Sequence, residues 1–341
     1  MSEIAVGIAG FGRFGRLHAG VIRSLGNARV AAIYDPDPVA ASAATQFGDP
    51  DVVTSFRELL SRTDLDCVYI VSPEDTHEQM VDEAIERRLP IFLEKPLALS
   101  SARGAEIVAR STAAGVYVQV GFVLRFEARS AFLRDQILNG SFGQLVTFRA
   151  KRNCSRAWFD IYADRAHAVY ETVIHDIDYL LWIAGSRCTS VYAIERHLSG
   201  RRYPDATMAM LTFENGLMAA IETSWLVPGQ APANVLTDNW HGTIDAELEI
   251  VGEHRSARFR GLESGLEIWS DANSHHLDAG LWPEINGAVA GAIKAEDEHF
   301  LQIVASGERV SGVASIDDAV EGLRIAEAIV ESAARGEIVR L

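Results

Sequence analysis

The feature that most restricts the fold of this chain is a run of six residues, Gly10-Phe11-Gly12-Arg13-Phe14-Gly15. The run follows the apolar segment 4–9 and opens a segment, residues 16–26, with helical spacing. A G-x-G-x-x-G sequence between a strand and a helix is typical of dinucleotide binding when an acidic residue follows about 20 positions later. Asp35 meets that requirement at the end of the next strand-like run. The spacing therefore predicts a strand, a glycine turn and a helix that together bind a dinucleotide.

Each glycine of this loop has its own predicted role. Gly10 permits the tight turn, Gly12 lets the backbone approach the pyrophosphate, and Gly15 allows close packing of helix on strand. The helix N-terminus binds the pyrophosphate through its N–H groups and its partial positive charge. The predicted contacts cover the whole loop: Gly10, Phe11, Gly12, Arg13, Phe14 and Gly15.

The choice between NAD and NADP depends on Asp35. Its carboxylate is predicted to accept hydrogen bonds from the adenosine ribose hydroxyls and to repel a 2′-phosphate. Asp37 adds to that repulsion, and Arg13 is the nearby residue that could bind a phosphate instead. The sequence favours NAD over NADP.

Strand-like and helix-like segments alternate through the first 120 residues, which predicts βαβ units and a doubly wound parallel sheet. Longer alternating strands follow, and the turn Glu214–Asn215–Gly216 joins two of them as a hairpin. A chain of 341 residues usually forms two domains. We predict a Rossmann domain over 1–122 and an α+β domain over 123–341 with a large, mostly antiparallel open sheet. The C-terminal helices could pack back on the first domain.

Charge and cysteine content exclude several classes of partner. A formal net charge of −16 argues against nucleic acid and anionic membranes, because both would be repelled. No apolar stretch approaches the length of a membrane span, and the start resembles no secretory leader. Three cysteines without C-x-x-C spacing fit a reducing compartment. These observations predict a cytoplasmic protein.

A lysine marks the end of another buried strand, in the tripeptide Glu94-Lys95-Pro96. Ligands bind outside the carboxyl ends of parallel strands, so Lys95 is expected to point towards the cofactor cleft. A lysine beside a nicotinamide suits proton transfer. A solvated lysine at a strand end is the alternative.

These motifs together resemble the Gfo/Idh/MocA oxidoreductases. The resemblance rests on the glycine loop, Asp35, the tripeptide at 94–96, and a later helix with the pattern E-x-x-x-H-D-I-D at 171–178. It implies an NAD(P)-dependent dehydrogenase that acts on a secondary alcohol of a sugar, cyclitol, polyol or derivative, and a homodimer or homotetramer. Further cofactor contacts are predicted at Ser72, Pro73, His77, Glu94 and Lys95.

The resemblance also implies the catalytic residues. The family pattern D-x-G-x-H-x-x-D places its histidine at His175 and its aspartate at Glu171, so Lys95, His175 and Glu171 are the predicted catalytic residues. Residues 171 and 175 are four apart and share a helix face. Glu171 is one methylene longer than the family's aspartate, which puts the substrate geometry in doubt. Asp176 is rotated away and is expected to have a structural or surface role.

Substrate contacts are predicted with less support. The segment 151–167 offers aromatic faces and arginine donors that suit sugars and polyols, and the loop 237–243 is similar in character. Asp178 lies near the face of the predicted catalytic residues. A structured loop or an interface is the alternative for both segments. The predicted substrate contacts are Arg152, Trp158, Tyr162, Asp178 and His241.

Two other functions remain open. One is a non-catalytic NAD(P)-binding sensor of the same fold, which would tolerate the changes at Glu171 and Val173. The other is a metal-assisted lyase or hydrolase that uses Glu171, His175 and Asp178, with His167 nearby. Because E-x-x-x-H lacks a second clear ligand cluster, we predict no metal.

Overall fold

The computed structural model describes residues 3–237, 240–261, 266–269, 274–276, 280–307, 313 and 316–341. The chain divides into two compact units. Unit 1 consists of Met1–Glu127 and Leu281–Val320, and unit 2 of Ala128–Gly280 and Glu321–Leu341. The sequence placed the boundary slightly earlier, at residue 122.

Unit 1 contains a six-stranded parallel sheet in the order β3-β2-β1-β4-β5-β6. The strands are β1 (Ile4–Ala9), β2 (Ala28–Tyr34), β3 (Asp51–Val53), β4 (Cys67–Ile70), β5 (Ile91–Glu94) and β6 (Val118–Gly121). Every residue of β1, β4, β5 and β6 is buried, as expected for strands covered on both faces. The order reverses between β1 and β4, and ligands of such sheets bind outside the carboxyl ends at that point. The predicted doubly wound fold is confirmed.

Helices connect these strands. They are α1 (Arg13–Ser24), α2 (Pro38–Ser42), α3 (Phe56–Ser61), α4 (His77–Glu86) and α5 (Ser101–Ala114), with 3₁₀ turns at Ala43–Phe47 and Val123–Phe126. Ser55 and Ser100 cap α3 and α5 by accepting a backbone N–H, and Gly115 ends α5 at a φ of 68°.

Unit 2 is built on a seven-stranded mixed sheet. Its strands include β7 (Leu145–Ser155), β8 (Cys188–Arg196), β9 (Ala206–Phe213), β10 (Met218–Val227), β13 (Ile244–Gly252) and β14 (Ser256–Arg260). Short pairs are formed by β11 (Val235–Thr237) with β12 (Trp240–Gly242), and by β15 (Glu267–Trp269) with β16 (Ser274–His276). Only β10 and β7 pair in parallel within the large sheet, so the predicted, mostly antiparallel sheet is confirmed.

The predicted hairpin joins β9 to β10. Gly216 has a φ of 87°, and the N–H of Phe213 donates to the carbonyl of Leu217. Burial alternates along β9, with Met208 and Met210 exposed and Ala209 and Leu211 buried. One face of the sheet at β8–β10 is thus in the core of unit 2 and the other is exposed.

Three helices of unit 2 are α6 (Ala128–Leu138), α7 (Arg156–Tyr162) and α8 (Ile174–Ala184). A π-helical turn, Val169–Val173, precedes α8, and its Ile174 N–H bonds to the carbonyl of Val169. The segment 151–167, in which substrate contacts are predicted, begins with the end of β7 and continues as α7, because Ser155 ends the strand and caps the helix.

The remaining elements of unit 1 come late in the chain. They are the two-stranded pair β17 (Glu284–Ile285) and β18 (Ala288–Val289), and helix α9 (Ala292–Ser306). Helix α10 (Ile316–Arg335) and strand β19 (Val339–Arg340) follow, and β19 pairs with β8 as the seventh strand of the large sheet. None of the helices in the described part of the chain is long and apolar enough to cross a membrane.

Candidate functional site

The glycine loop joins β1 to α1 at the carboxyl edge of the parallel sheet. Gly10 has a φ of 94°, and a Cβ there would lie 2.4 Å from the carbonyl oxygen of Val71. A Cβ on Gly15 would lie 2.1 Å from the carbonyl oxygen of Gly10. A Cβ on Gly12 would meet no atom within 4 Å. Two glycines are thus required by the fold, whereas the third leaves open space at the loop surface.

That open space lies at the start of α1. Gly12 is the N-cap residue, no side chain caps the helix, and the first turn carries no acidic residue. An anion that approached Gly12 would meet backbone N–H groups and the positive end of the helix dipole. Arg13 and Phe14, the first residues of the helix, are half-buried.

Asp35 follows β2 and is half-buried. Its Oδ2 accepts the N–H of Phe11 at 2.6 Å, and its Oδ1 accepts the N–H of Asp37 at 2.8 Å. The carboxylate therefore holds the glycine loop and its own turn. Each oxygen has a second lone pair with which it can accept a ribose hydroxyl.

The loop after β4 carries three of the predicted cofactor residues. Ser72 is half-buried and Pro73 is exposed. His77 is buried, and its ring nitrogens lie 2.8 Å from the carbonyl oxygen of Pro96 and 2.9 Å from that of Ser72. Burial holds the pKa of His77 below its ordinary value, although both carbonyls oppose the shift. The buried ring of His77 thus connects the loops after β4 and β5. Its contact with a cofactor stays a prediction.

Glu94 and Lys95 lie at the carboxyl end of β5. Lys95 is half-buried, and the Lys95–Pro96 bond is cis. Glu94 is buried, and its Oε2 accepts the backbone N–H of Lys95 at 3.2 Å. Its Oε1 lies 3.2 Å from Nε2 of His18, a residue that the sequence did not single out. Glu94 therefore lies beneath the lysine rather than at the loop surface.

In unit 2, the predicted catalytic pair is distinguished by exposure. Between residues 171 and 180, Glu171 and His175 are half-buried and the other eight residues are buried. Glu171 lies in the π-helical turn and His175 in the first turn of α8. Both side chains are thus more exposed than their neighbours, and their sharing of one face stays a prediction of the i, i+4 spacing. Asp178 is only 1% exposed, which supports a packing role for that carboxylate.

Arg152 was predicted to contact substrate, but the structure commits it to an ion pair. Its Nε and Nη2 lie 2.9 and 2.8 Å from the two carboxylate oxygens of Asp176, and both side chains are buried. Asp176 is therefore structural, and the alternative of a surface role is wrong. The sequence signal for this ion pair was Asp176, a charged residue on the inward face of the predicted helix.

Trp158 also turns out to be part of the core. It is 5% exposed, packs in a cluster with Phe159 and Trp225, and donates its indole N–H to the carbonyl of His241. No face is left for a sugar, so the predicted substrate contact is corrected to a packing role. Tyr162 is half-buried and its ring lies 5.0 Å from that of Trp225.

His241 is an exposed residue of strand β12. Its neighbours Asp238 and Asn239 in the predicted loop 237–243 lie outside the described residues. No group of three or more His, Cys, Asp or Glu residues in the described ranges is arranged to hold a metal ion.

Comparison with known proteins places these features in a family. Residues 4–122 match the model of an oxidoreductase family with an NAD-binding Rossmann fold, and residues 131–258 match the Gfo/Idh/MocA C-terminal domain. Inositol 2-dehydrogenase of Ralstonia nicotianae is 31% identical over 85% of this chain and 87% of its own length. The chain belongs to the Gfo/Idh/MocA oxidoreductase family.

Solved structures agree with the fold of this Gfo/Idh/MocA protein. Myo-inositol 2-dehydrogenase of Lactobacillus plantarum superposes with a TM-score of 0.84 at 20% identity, with 100% of each chain covered. Scyllo-inositol dehydrogenase of Lactobacillus casei, solved with NAD(H) and scyllo-inositol, gives 0.83 at 20% identity over 99% of each chain.

Family membership makes this chain an NAD-binding oxidoreductase. The residues of unit 1 fit that cofactor: open space over Gly12, the uncapped start of α1, and a carboxylate at Asp35 that accepts hydrogen bonds. NAD held by these residues would supply the hydride acceptor of an oxidation. The prediction of a dinucleotide cofactor is confirmed by the family match.

Sequence reasoning on this Gfo/Idh/MocA protein missed several residues around the site. His18 and Asp297 contact one another but are far apart in sequence, so no local pattern connects them. The π-helical turn before α8 also left no signal. His18 follows Gly15 by three residues on α1, and a histidine on the inward face of that helix was the one available hint.

Proposed function

We propose that this protein is an NAD-dependent dehydrogenase that oxidises a secondary alcohol of a cyclitol, polyol or sugar. The observation that carries the proposal is Lys95, half-buried at the carboxyl end of β5 in a unit that matches the NAD-binding family model. Relatives named inositol 2-dehydrogenase support the substrate class. Cyclitols are the first substrates to test, because a solved neighbour of the same fold was crystallised with scyllo-inositol.

The residues of this chain divide the proposed work. The start of α1 binds the pyrophosphate and Asp35 binds the ribose hydroxyls. These residues hold the cofactor and take no part in the proton transfer. The imidazole of His175 accepts the proton of the substrate hydroxyl, a role that histidine fills more often than any other side chain. Lys95 donates a hydrogen bond to the same oxygen and stabilises the negative charge that develops there. Glu171, half-buried like His175, orients the substrate or the imidazole.

The test is a spectrophotometric assay of NAD reduction against a panel of cyclitols, polyols and sugars. Lys95→Ala should lower kcat by about 10²- to 10⁴-fold, the usual share of a proton-transfer group. Lys294→Ala is the matched control, because this lysine of unit 1 lies on α9 and faces Glu298 at 3.8 Å. It should leave kcat unchanged.

Full turnover by Lys95→Ala would refute the mechanism. NAD binding by the wild type without turnover on any compound of the panel would favour the sensor function instead. Calorimetric titration with NAD separates these outcomes, since Lys95→Ala should keep the NAD dissociation constant within about threefold if its role is chemical.

We further propose that a second copy of the chain covers the exposed face of the sheet in unit 2. Tyr192 lies directly opposite Met210, and Ile194 opposite Met208, so the exposed apolar side chains of β8 and β9 form one continuous patch. Contiguous apolar patches of this kind are typical of protein interfaces. Sedimentation should show a dimer or tetramer, and Met210→Glu should shift it towards smaller species. A monomeric wild type at micromolar concentration would refute the proposal.

A cytoplasmic location is also proposed. Cys67, Cys154 and Cys188 are buried free thiols, as expected in a reducing compartment. Cell fractionation tests this directly, and recovery of the protein outside the cytoplasm would refute it.

A further inference from the structure

Three ionisable side chains meet in the core of unit 1, and we name them the buried triad Glu94–His18–Asp297. Nδ1 of His18 lies 2.8 Å from Oδ1 of Asp297, and Nε2 of His18 lies 3.2 Å from Oε1 of Glu94. His18 and Asp297 have no exposed surface, and Glu94 is 9% exposed. The triad connects α1, α9 and β5, and lies apart from the open space over the glycine loop.

The geometry of His18 favours a charged imidazole. Both ring nitrogens face carboxyl groups, which only accept when they are ionised, so a proton on each nitrogen completes both contacts, although burial raises the pKa of Asp297 as well. Burial alone would lower the pKa of His18, but Asp297 and Glu94 outweigh it and raise the pKa to about 10. The rings of Tyr69 and Phe92 lie 5.5 and 4.9 Å from the imidazole. These apolar surroundings make the loss of either partner costly.

The triad is connected to the lysine through Glu94. One carboxylate oxygen of Glu94 contacts His18, and the other accepts the backbone N–H of Lys95 at 3.2 Å. Room for this carboxylate depends on Gly121 of β6, where a Cβ would lie 3.1 Å from Oε1 of Glu94. The carboxylate of Glu94 therefore contacts the ring of His18 on one side, and on the other side it fills space that is open because Gly121 has no side chain.

We propose that His18 and Asp297 are positioning residues for Lys95. The imidazolium, oriented by Asp297, holds the Glu94 carboxylate where it binds the N–H of Lys95, and this directs the lysine side chain out of the end of β5. The proposal rests on the proposed function, since it assigns Lys95 the proton-transfer role. It goes beyond that function by placing the control of Lys95 in a buried group that touches neither substrate nor cofactor.

Two variants of His18 separate positioning from packing. In His18→Asn the side-chain amide takes the place of Nδ1, so the contact with Asp297 remains and the contact with Glu94 is lost. In His18→Gln the amide takes the place of Nε2, so the contact with Glu94 remains. Both variants remove the charge, and Asn is one methylene smaller than Gln, so kcat is compared together with the melting temperature of each variant.

We expect His18→Asn to lower kcat about tenfold or more, the usual effect of a misplaced catalytic group, with the NAD dissociation constant changed less than about threefold. His18→Gln keeps the contact with Glu94 but not the charge, so it should lose less of kcat than His18→Asn does. A structural role alone would make both variants lose activity in proportion to their loss of melting temperature. Equal kcat in the two variants overturns the proposal.

Gly121→Ala keeps the test decisive if His18→Asn does not fold. The added methyl would lie 3.1 Å from Oε1 of Glu94, so it should displace this carboxylate from its contacts with His18 and with the N–H of Lys95 while the residues at positions 18 and 297 are unchanged. It should lower kcat several-fold with little change in melting temperature. A wild-type kcat in this variant overturns the proposal.

A second measurement tests the positioning of Lys95 without any substrate. We therefore measure the rate of Lys95 acetylation by acetic anhydride, with mass spectrometry of the Lys95 peptide and of the Lys294 peptide as reference. The ratio should change in His18→Asn and Gly121→Ala, and change less in His18→Gln. A wild type without turnover on the panel speaks against the proposed function alone, whereas an unchanged Lys95 ratio in all three variants overturns the positioning role.

Discussion

Ligand-binding residues were predicted from the sequence in two regions, the cofactor edge of unit 1 and the segment 151–167 of unit 2, and the structure treats the two regions differently. At the cofactor edge, close packing leaves no room for a side chain at Gly10 or Gly15, whereas open space remains over Gly12. In unit 2, Arg152 and Trp158 are used by the fold itself. Sites made of backbone leave a steric signature in sequence, whereas a side chain suited to binding is equally suited to a core.

The largest effect expected from this comparison is at Arg152. Arg152→Met leaves the carboxylate of Asp176 buried without its partner, which should lower the free energy of unfolding by about 3–5 kcal/mol. Arg149→Met, at an exposed position of the same strand, should change it by less than about 0.5 kcal/mol. Urea denaturation followed by circular dichroism measures both. A raised KM of Arg152→Met with unchanged stability would show instead that Arg152 contacts the substrate.

The next effect contrasts two glycines of one loop. Gly15→Ala forces a methyl group against the carbonyl of Gly10 and should cost about 1–3 kcal/mol of stability. Gly12→Ala should leave stability unchanged, because its methyl meets no protein atom, and weaken NAD binding about tenfold or more. Melting temperature and calorimetric NAD titration give the two readouts. Equal NAD affinity in Gly12→Ala and the wild type would show that the pyrophosphate lies elsewhere.

The smallest effect concerns Asp35. Asp35→Asn keeps an acceptor for the N–H of Phe11 but loses the charge, so it should reduce discrimination against NADP while NAD affinity falls only a few-fold. Asp35→Ala removes the acceptor as well and should weaken NAD binding about tenfold. Competition titrations with NAD and NADP measure both. If the two variants bind NAD equally, the contact between Asp35 and the loop has no part in cofactor binding.

Much of the fold could be predicted because its determinants are local. Buried strand runs, the turn at Gly216 and the glycines of the first loop each act within a few residues. The half-buried positions of Glu171 and His175 among buried neighbours agree with their spacing, and their common face stays a prediction. The partners of Arg152 and of Glu94 could not be predicted, because Asp176 and His18 reach them through tertiary packing that no spacing encodes.

The π-helical turn Val169–Val173 has a consequence for how this protein could change over evolutionary time. A π turn holds one residue more than an α turn, so it is a natural position for single-residue insertion or deletion. Loss of one residue there would leave an ordinary α turn, so that the segment before it and the buried helix after it keep their places. Glu171 would then precede His175 by three residues rather than four. Chain length at this turn, as much as residue identity, would set the distance between the carboxylate and the histidine.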